Sequence, residues 1–333
     1  MRRHAYIRAV IAIILAVALM AGIVFFATHN DKWNTNETTE MSENFGQLKV
    51  VTLDGVQYRE KPAVTTLLLA GIDKGEDYEP TDEFNIYRDG GQADFLMLIA
   101  FDHTDKKIHQ LQFDRDTMVD IDILGIFGNE VGTRKEQLCL SHSFGKTKKD
   151  NALYTVKAVK RLLDGLDIDS YYMIDYSAMG TINDALGGVE VNIEYDMTNL
   201  HPEWTVGSRV TLQGKEAEEF VRSRMTIGEG TNEERMVRQN EFMKNAVKKM
   251  KENIRENTSF AEELLSSLRP VSTTNMSDKS IAEEVLKSRD YELLAIDHPA
   301  GTYTMGDDGF VEFHMEDNAA VQWVLEHLYT RIE

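Results

Sequence analysis

The chain has 333 residues, 42% hydrophobic and 28% charged, with 22 Gly, 5 Pro and a single Cys. This length and balance allow a sizeable folded core and exclude collagen, proline-rich low complexity and general disorder, while one cysteine excludes an internal disulfide or a cysteine zinc cage. Lys+Arg 36 against Asp+Glu 56 leaves a formal charge of −20, which argues against general nucleic-acid binding but leaves room for a local phosphate pocket.

The first residues carry Arg2, Arg3 and Arg8 and no acid, and residues 9–27 then carry no charge. As a helix this run reaches about 28 Å, close to the thickness of the bilayer hydrocarbon. The arginines before it put the N-terminus in the cytoplasm. A cleaved signal peptide is the alternative, but the run is long for one, and Phe25-Phe26-Ala27-Thr28 lacks a small-x-small cleavage pattern. The expected order is a cytoplasmic end (1–8), a retained transmembrane anchor (9–28), a polar extracytoplasmic linker (29–60) and a folded extracytoplasmic domain (61–333).

Within that domain, 64–70 is an apolar, β-branched run stopped by Gly71 and reads as a buried strand. Residues 95–101 and 107–113 read as two more, joined as a hairpin by Asp102-His103-Thr104-Asp105-Lys106. Helical spacing covers 151–163, and 171–174 is strand-like. Ser177 offers an N-cap to a short helix that Gly187-Gly188 ends. A strand at 189–193 follows, then helices at 216–221, 233–254, 260–268 and 281–287, strands at 291–296 and 309–314, and a closing helix at 319–329. Irregular alternation of this kind predicts an α/β (α+β) fold, a central mixed sheet flanked by helices.

Common hydrolase signatures fail. Gly145-Lys146-Thr147 resembles the end of a phosphate-binding loop, but the first glycine is replaced by Leu140. Neither H-E-x-x-H nor G-x-S-x-G occurs, and His142 and His314 have no ligand spacing. Three constellations remain. Asp73 follows one strand and Asp94 opens the next, so their carboxylates can converge on a hard cation such as magnesium; two ordinary loop acids are the alternative. Arg115 at a strand exit can present a fork to phosphate, with Asp116 to hold it or take a proton; a local Arg–Asp turn pair is the alternative. Arg222 and Arg224 share a side if the chain is extended there, and Arg235, Arg238 and Gln239 share a helical face that continues to Phe242. Such a cluster in an acidic chain suits a polyanion, unless Glu229, Glu233, Glu234 and Glu241 merely pair with it.

Taken in order, these segments resemble the LytR-CpsA-Psr family of bacterial cell-envelope proteins. The matching stretches are Leu67-Leu68-Leu69-Ala70-Gly71-Ile72-Asp73, Ala93-Asp94-Phe95-Leu96-Met97-Leu98, Phe113-Asp114-Arg115-Asp116-Thr117, Asp184-Ala185-Leu186-Gly187-Gly188-Val189-Glu190-Val191, Leu212-Gln213-Gly214-Lys215-Glu216-Ala217, Val221-Arg222-Ser223-Arg224 and Arg235-Met236-Val237-Arg238-Gln239. The resemblance implies a membrane-anchored phosphotransferase. It would move a teichoic acid or capsule-type glycopolymer from an undecaprenyl-pyrophosphate carrier to peptidoglycan, with an apolar tunnel for the prenyl tail. By the same resemblance Asp73 and Asp94 hold Mg2+. Arg115, Arg222, Arg224, Arg235 and Arg238 bind the pyrophosphate, supported by Gln239. Arg115 and Asp116 are then catalytic, Asp116 activating the acceptor hydroxyl. A prenyl-pyrophosphate hydrolase and a non-catalytic prenyl-phosphate-binding protein are the alternatives. The chain departs from the family pattern at Gln92, usually Arg, in the segment from Gln137 to His142, which usually holds a Lys, and at Asn232, often Asp. Arg88 and Lys146 lie close enough in sequence to compensate.

Overall fold

The computed structural model describes residues 49–53, 55–74, 90–223, 227–228, 232–307 and 309–332. The anchor, most of the linker, Arg88 and Arg224 lie outside the described residues. Among the described residues, no helix is long and apolar enough to cross a membrane.

The chain enters as β1 (Val50–Leu53) and β2 (Val56–Glu60), in the stretch read as linker. The core strands follow: β3 (Val64–Asp73), β4 (Gln92–Asp102) and β5 (Lys107–Phe113). A hairpin of β6 (Met118–Leu124) and β7 (Glu130–Gln137) leads through a 3-10 turn at Leu138–His142 into α1 (Lys148–Leu162). Next come β8 (Ser170–Asp175), α2 (Ala178–Ala185), β9 (Glu190–Asn192), β10 (Arg209–Thr211) and α3 (Glu216–Arg222). The long α4 (Asn232–Glu256) precedes α5 (Phe260–Leu268), β11 (Ser272–Thr274), α6 (Asp278–Ser288) and β12 (Glu292–Asp297). A second hairpin, β13 (Gly301–Met305) and β14 (Val311–Met315), then α7 (Ala319–Leu328) and β15 (Tyr329–Ile332) complete it.

The expected mixed sheet is present, in the order β11-β8-β3-β4-β5-β12. β3 is parallel to β8 and antiparallel to β4, and β5 is antiparallel to β4 and parallel to β12. Strand alternation sorts the core into two layers. Leu67 and Leu69 face a layer with α2 to α6, whereas Leu68 and Ala70 face one with α1 and α7. β3 is therefore buried on both sides, which is why its sequence is an unbroken apolar run.

Several expectations need correction. Gly71 does not stop β3: the strand runs on to Asp73, because a side chain at 71 would press on Phe95 and the Tyr176 ring at 3.2 Å, and glycine lets them close over it. Asp94 is the third residue of β4, not its opening one. Ser177 flanks α2 without a side-chain capping bond. Arg222 closes α3 in helical conformation rather than lying in an extended segment.

Candidate functional site

The C-terminal ends of β3 and β8, the start of β4 and the exit of β5 meet at one end of the sheet. Register places them: Asp73 pairs with Gln92, Ile72 with both Ala93 and Asp175, and Leu96 with Phe113, two residues before Arg115. The β3–β4 register passes from Gly71↔Phe95 to Ile72↔Ala93, so Asp94 is the extra residue of a β-bulge. A bulge bends its strand and re-aims a side chain. Here the Asp94 carboxylate is 4% exposed and sits between two arginines.

Those arginines come from opposite sides. Arg115 donates to Asp94 Oδ1, to the Gln92 side-chain Oε1 at 2.6 Å and to Cys139 Sγ at 3.1 Å. Arg235, from the first turn of α4, donates to Asp94 Oδ2 at 3.0 Å. At the end of α3, Arg222 forks onto Asp73, with Nε to Oδ2 at 3.1 Å and a terminal nitrogen to Oδ1 at 2.9 Å. Lys74 donates to Asp175 at 2.8 Å. Burial works against the Arg115 charge, but Cys139 and the carboxylates of Asp94 and Asp116 outweigh it, and its pKa lies above the ordinary value. The Cys139 thiol is pushed up to about 12 by burial. Burial also raises the Tyr176 hydroxyl, which accepts from Gln239 at 3.3 Å behind the cage.

The cage opens onto a cavity of about 570 Å³ whose lining includes Asp73, Lys74, Gln92, Asp94, Arg115 and Arg235. Next to it, Gly71, Tyr176 and Gln239 border a narrow apolar cleft of about 60 Å³, lined also by Phe95, Phe242 and Met243. A third cavity of about 730 Å³ adjoins on the far side, sharing Gln92, Arg115 and Leu140 with the first, and it is this one that Asp116 lines. Asp116 Oδ1 accepts from the Gln137 amide at 3.1 Å and lies 3.4 Å from Arg115 Nε.

The structure thus brings together Asp73, Asp94, Arg115, Asp116, Arg222 and Arg235. Arg238 is elsewhere. It is 2% exposed, and its guanidinium donates to the carbonyls of Phe220 (3.1 Å) and Ser223, tying α3 to α4. Burial lowers its pKa to about 10. Gln239 faces the apolar cleft and also donates to Val221 O at 3.2 Å. Lys146 does not compensate for a missing charge here, since it donates to Phe127 O at 2.7 Å on the β6–β7 loop. Lys74 was not singled out in the sequence, although it directly follows Asp73. Gln92 and Gln137, the departures from the family pattern, hold Arg115 and Asp116 respectively.

Chemically, the cage couples fixed cations to oxygen ligands. Arginine forks match phosphate oxygens. The aspartates of two neighbouring strands supply hard carboxylate oxygens on one cavity, a donor set that fits magnesium completed by phosphate oxygens and water rather than a soft metal.

A family model described as the LytR_cpsA_psr family matches residues 23–320. Among curated proteins, the polyisoprenyl-teichoic acid–peptidoglycan teichoic acid transferase TagU of Enterococcus faecalis is 24% identical over 215 residues, 65% of this chain and 60% of that protein. The corresponding TagV of Bacillus subtilis is 26% identical over 141 residues, 42% of this chain and 30% of that protein. The matches therefore span less than two thirds of those relatives. The crystal structure of B. subtilis TagV superposes with a TM-score of 0.56 at 21% identity, covering 80% of this chain and 96% of that one, and carries the fold.

Proposed function

The chain belongs to the LytR-CpsA-Psr family, and on that premise we propose that it transfers a glycopolymer from a polyprenyl-pyrophosphate carrier to peptidoglycan. The observation that carries this reading is the convergence of Arg115 and Arg235 with Asp73 and Asp94 on one cavity, with Arg222 forked onto Asp73, beside an apolar cleft and an Asp116-lined opening. The names of the relatives, teichoic acid–peptidoglycan transferases, supply the substrate class.

In this reading the pyrophosphate lies in the arginine cage and the prenyl tail enters the cleft at Phe95, Phe242 and Met243. An acceptor hydroxyl oxygen attacks the phosphorus that bears the glycan. The bond to the bridging oxygen breaks, prenyl monophosphate leaves with the electron pair, and the acceptor proton passes to Asp116. A phosphodiester joins glycan and acceptor. Such chemistry depends on positioning and charge neutralisation more than on a protein nucleophile, in keeping with the absence of a serine or cysteine signature. Arg115 is placed to bridge the two cavities and meet charge developing between them. Bound at Asp73 and Asp94, magnesium would neutralise phosphate oxygens. Residues 9–28 would hold the domain on the outer face of a bacterial membrane, within reach of both substrates.

Reconstitution tests this. The full chain in detergent, given a lipid-pyrophosphate glycopolymer, uncrosslinked peptidoglycan and magnesium, should yield wall-linked polymer and prenyl monophosphate. Free phosphate-ended polymer would instead indicate hydrolysis. Prenyl lipid seen by native mass spectrometry without any turnover would indicate a binding protein.

A further inference from the structure

The geometry points to the third cavity as an acceptor-glycan subsite built by the β13–β14 hairpin, with Phe310 as its stacking platform. This inference rests on the transfer reading above and extends it to the β13–β14 hairpin, which lies beyond the motifs that carry the resemblance. Three observations carry it. The first is position. The cavity meets the pyrophosphate cavity at Arg115 and Gln92, and the Asp116 carboxylate lines it and not the other. A hydroxyl to be deprotonated must lie within hydrogen-bond reach of its base. In-line displacement also requires entry opposite the leaving group, which departs on the side of the apolar cleft.

The second observation is charge. Beyond Arg115 this cavity carries Asp116, Glu136 and Glu312 against Lys135, with Gln137 between them. With Arg115 counted, and with Asp116 facing Arg115 and Glu136 paired to Arg134, the lining is nearly charge-balanced, so it offers no cationic bed for a polyphosphate chain and leaves paired donors and acceptors for a neutral polyhydroxyl ligand. The third is the lip. Phe310 is 64% exposed at the cavity, and the β13 ring of Tyr303 is 63% exposed and packs on Phe313 with centroids 4.9 Å apart. An exposed aromatic face beside planar polar groups is what an amino-sugar ring recognises, by stacking on its C–H face while the groups read its hydroxyls.

The hairpin is fastened to the site rather than loosely near it. Phe313 N–H donates to Asp116 O at 2.8 Å, Thr117 bridges to Phe313, and the Gln137 amide donates to both Asp116 Oδ1 and Val311 O, the latter at 2.7 Å. These bonds hold the backbone that carries Phe310 at a fixed position relative to Asp116.

The test uses the full chain and two probes, chitotetraose for direct binding by NMR and uncrosslinked glycan strands for transfer. Phe310→Ala should weaken chitotetraose binding and raise the acceptor KM about tenfold, while donor KM and kcat at saturating acceptor change by less than about twofold. Phe310→Trp should restore both. An unchanged acceptor KM, or a donor KM that rises in step with it, overturns the subsite. Failure of the wild type to bind chitotetraose also overturns it. If the wild type binds the sugar through Phe310 but transfers nothing, the subsite stands and the transfer reading falls.

Discussion

Arg115 holds Asp94, Gln92 and Cys139 with one planar fork. A lysine ammonium is a point charge and cannot span three such partners. Both Arg115→Ala and Arg115→Lys should therefore cut transfer by at least about 100-fold. Thermal melting should show a fold still intact, because Asp94 keeps Arg235. Gly91 makes a sharper backbone prediction. It sits at φ 73°, and a Cβ there would lie 2.6 Å from the Asp73 carbonyl oxygen. Gly91→Ala should destabilise the protein by about 1–3 kcal/mol and lower transfer by displacing Asp73, as melting curves and a transfer assay would show. Chelation should abolish turnover if Asp73 and Asp94 serve a cation, and magnesium should restore it. Spacing alone left Asp73, Asp94, Arg115 and Arg235 open to ordinary structural roles such as loop acids and turn pairs, and it was their order within the motifs of the resemblance that marked them as site residues. The same reasoning failed for Arg238: helical spacing put it on the right face, but only packing shows that its partners are backbone carbonyls.

Helix α4 joins the cage to the core. Its first turn sends Arg235 to Asp94, and one turn later Arg238 caps the carbonyls at the end of α3. Arg238→Met should thus act on stability, costing about 1–3 kcal/mol through the unpaired Phe220 and Ser223 carbonyls, with little change in donor affinity. A denaturant titration beside a lipid-binding assay would separate the two, and a large affinity loss at unchanged stability would return Arg238 to the phosphate site. The long apolar strands and amphipathic helices were readable from periodicity. The β6–β7 and β13–β14 hairpins were mostly not. Glu130–Gln137 is exposed along most of its length, so no alternation marks it, and only its pairing with β6 makes it a strand. The bulge at Asp94 was equally hidden, since register is a property of two strands and not of one. The cavity beside Asp116 was hidden for the same reason: a strand was expected at 309–314, but its pairing with β13 and its approach to the β6–β7 hairpin are properties of several segments at once.

At the scale of the molecule, one buried acid sets a pH response away from the site. Glu284 on α6 is 1% exposed, with His103 Nδ1 3.7 Å away and Tyr291 and Lys287 nearby. Burial raises its pKa from 4.5 to about 7, while His103 is lowered to about 4 by burial and stays neutral above that. The folded protein therefore holds a proton that the unfolded chain releases. Its contribution is complete below pH 4.5, fades as pH rises to about 7 and is constant above. Glu284→Gln should match the wild type in acid and be more stable by on the order of 3 kcal/mol at pH 8. Melting both proteins across that range checks it, and a pH-independent difference would contradict it. The small sheet β1-β2-β15 has a mechanical consequence. The chain enters at Lys49, bonded to Glu60, so tension from the N-terminal side enters and leaves the β1–β2 hairpin at one end. That geometry peels the ladder one rung at a time, and releasing residues 49–60 would pay out about 40 Å of slack before any pull reached β3 and the arginine cage. In the membrane-anchored arrangement proposed above, the hairpin would serve as a shock absorber between anchor and domain.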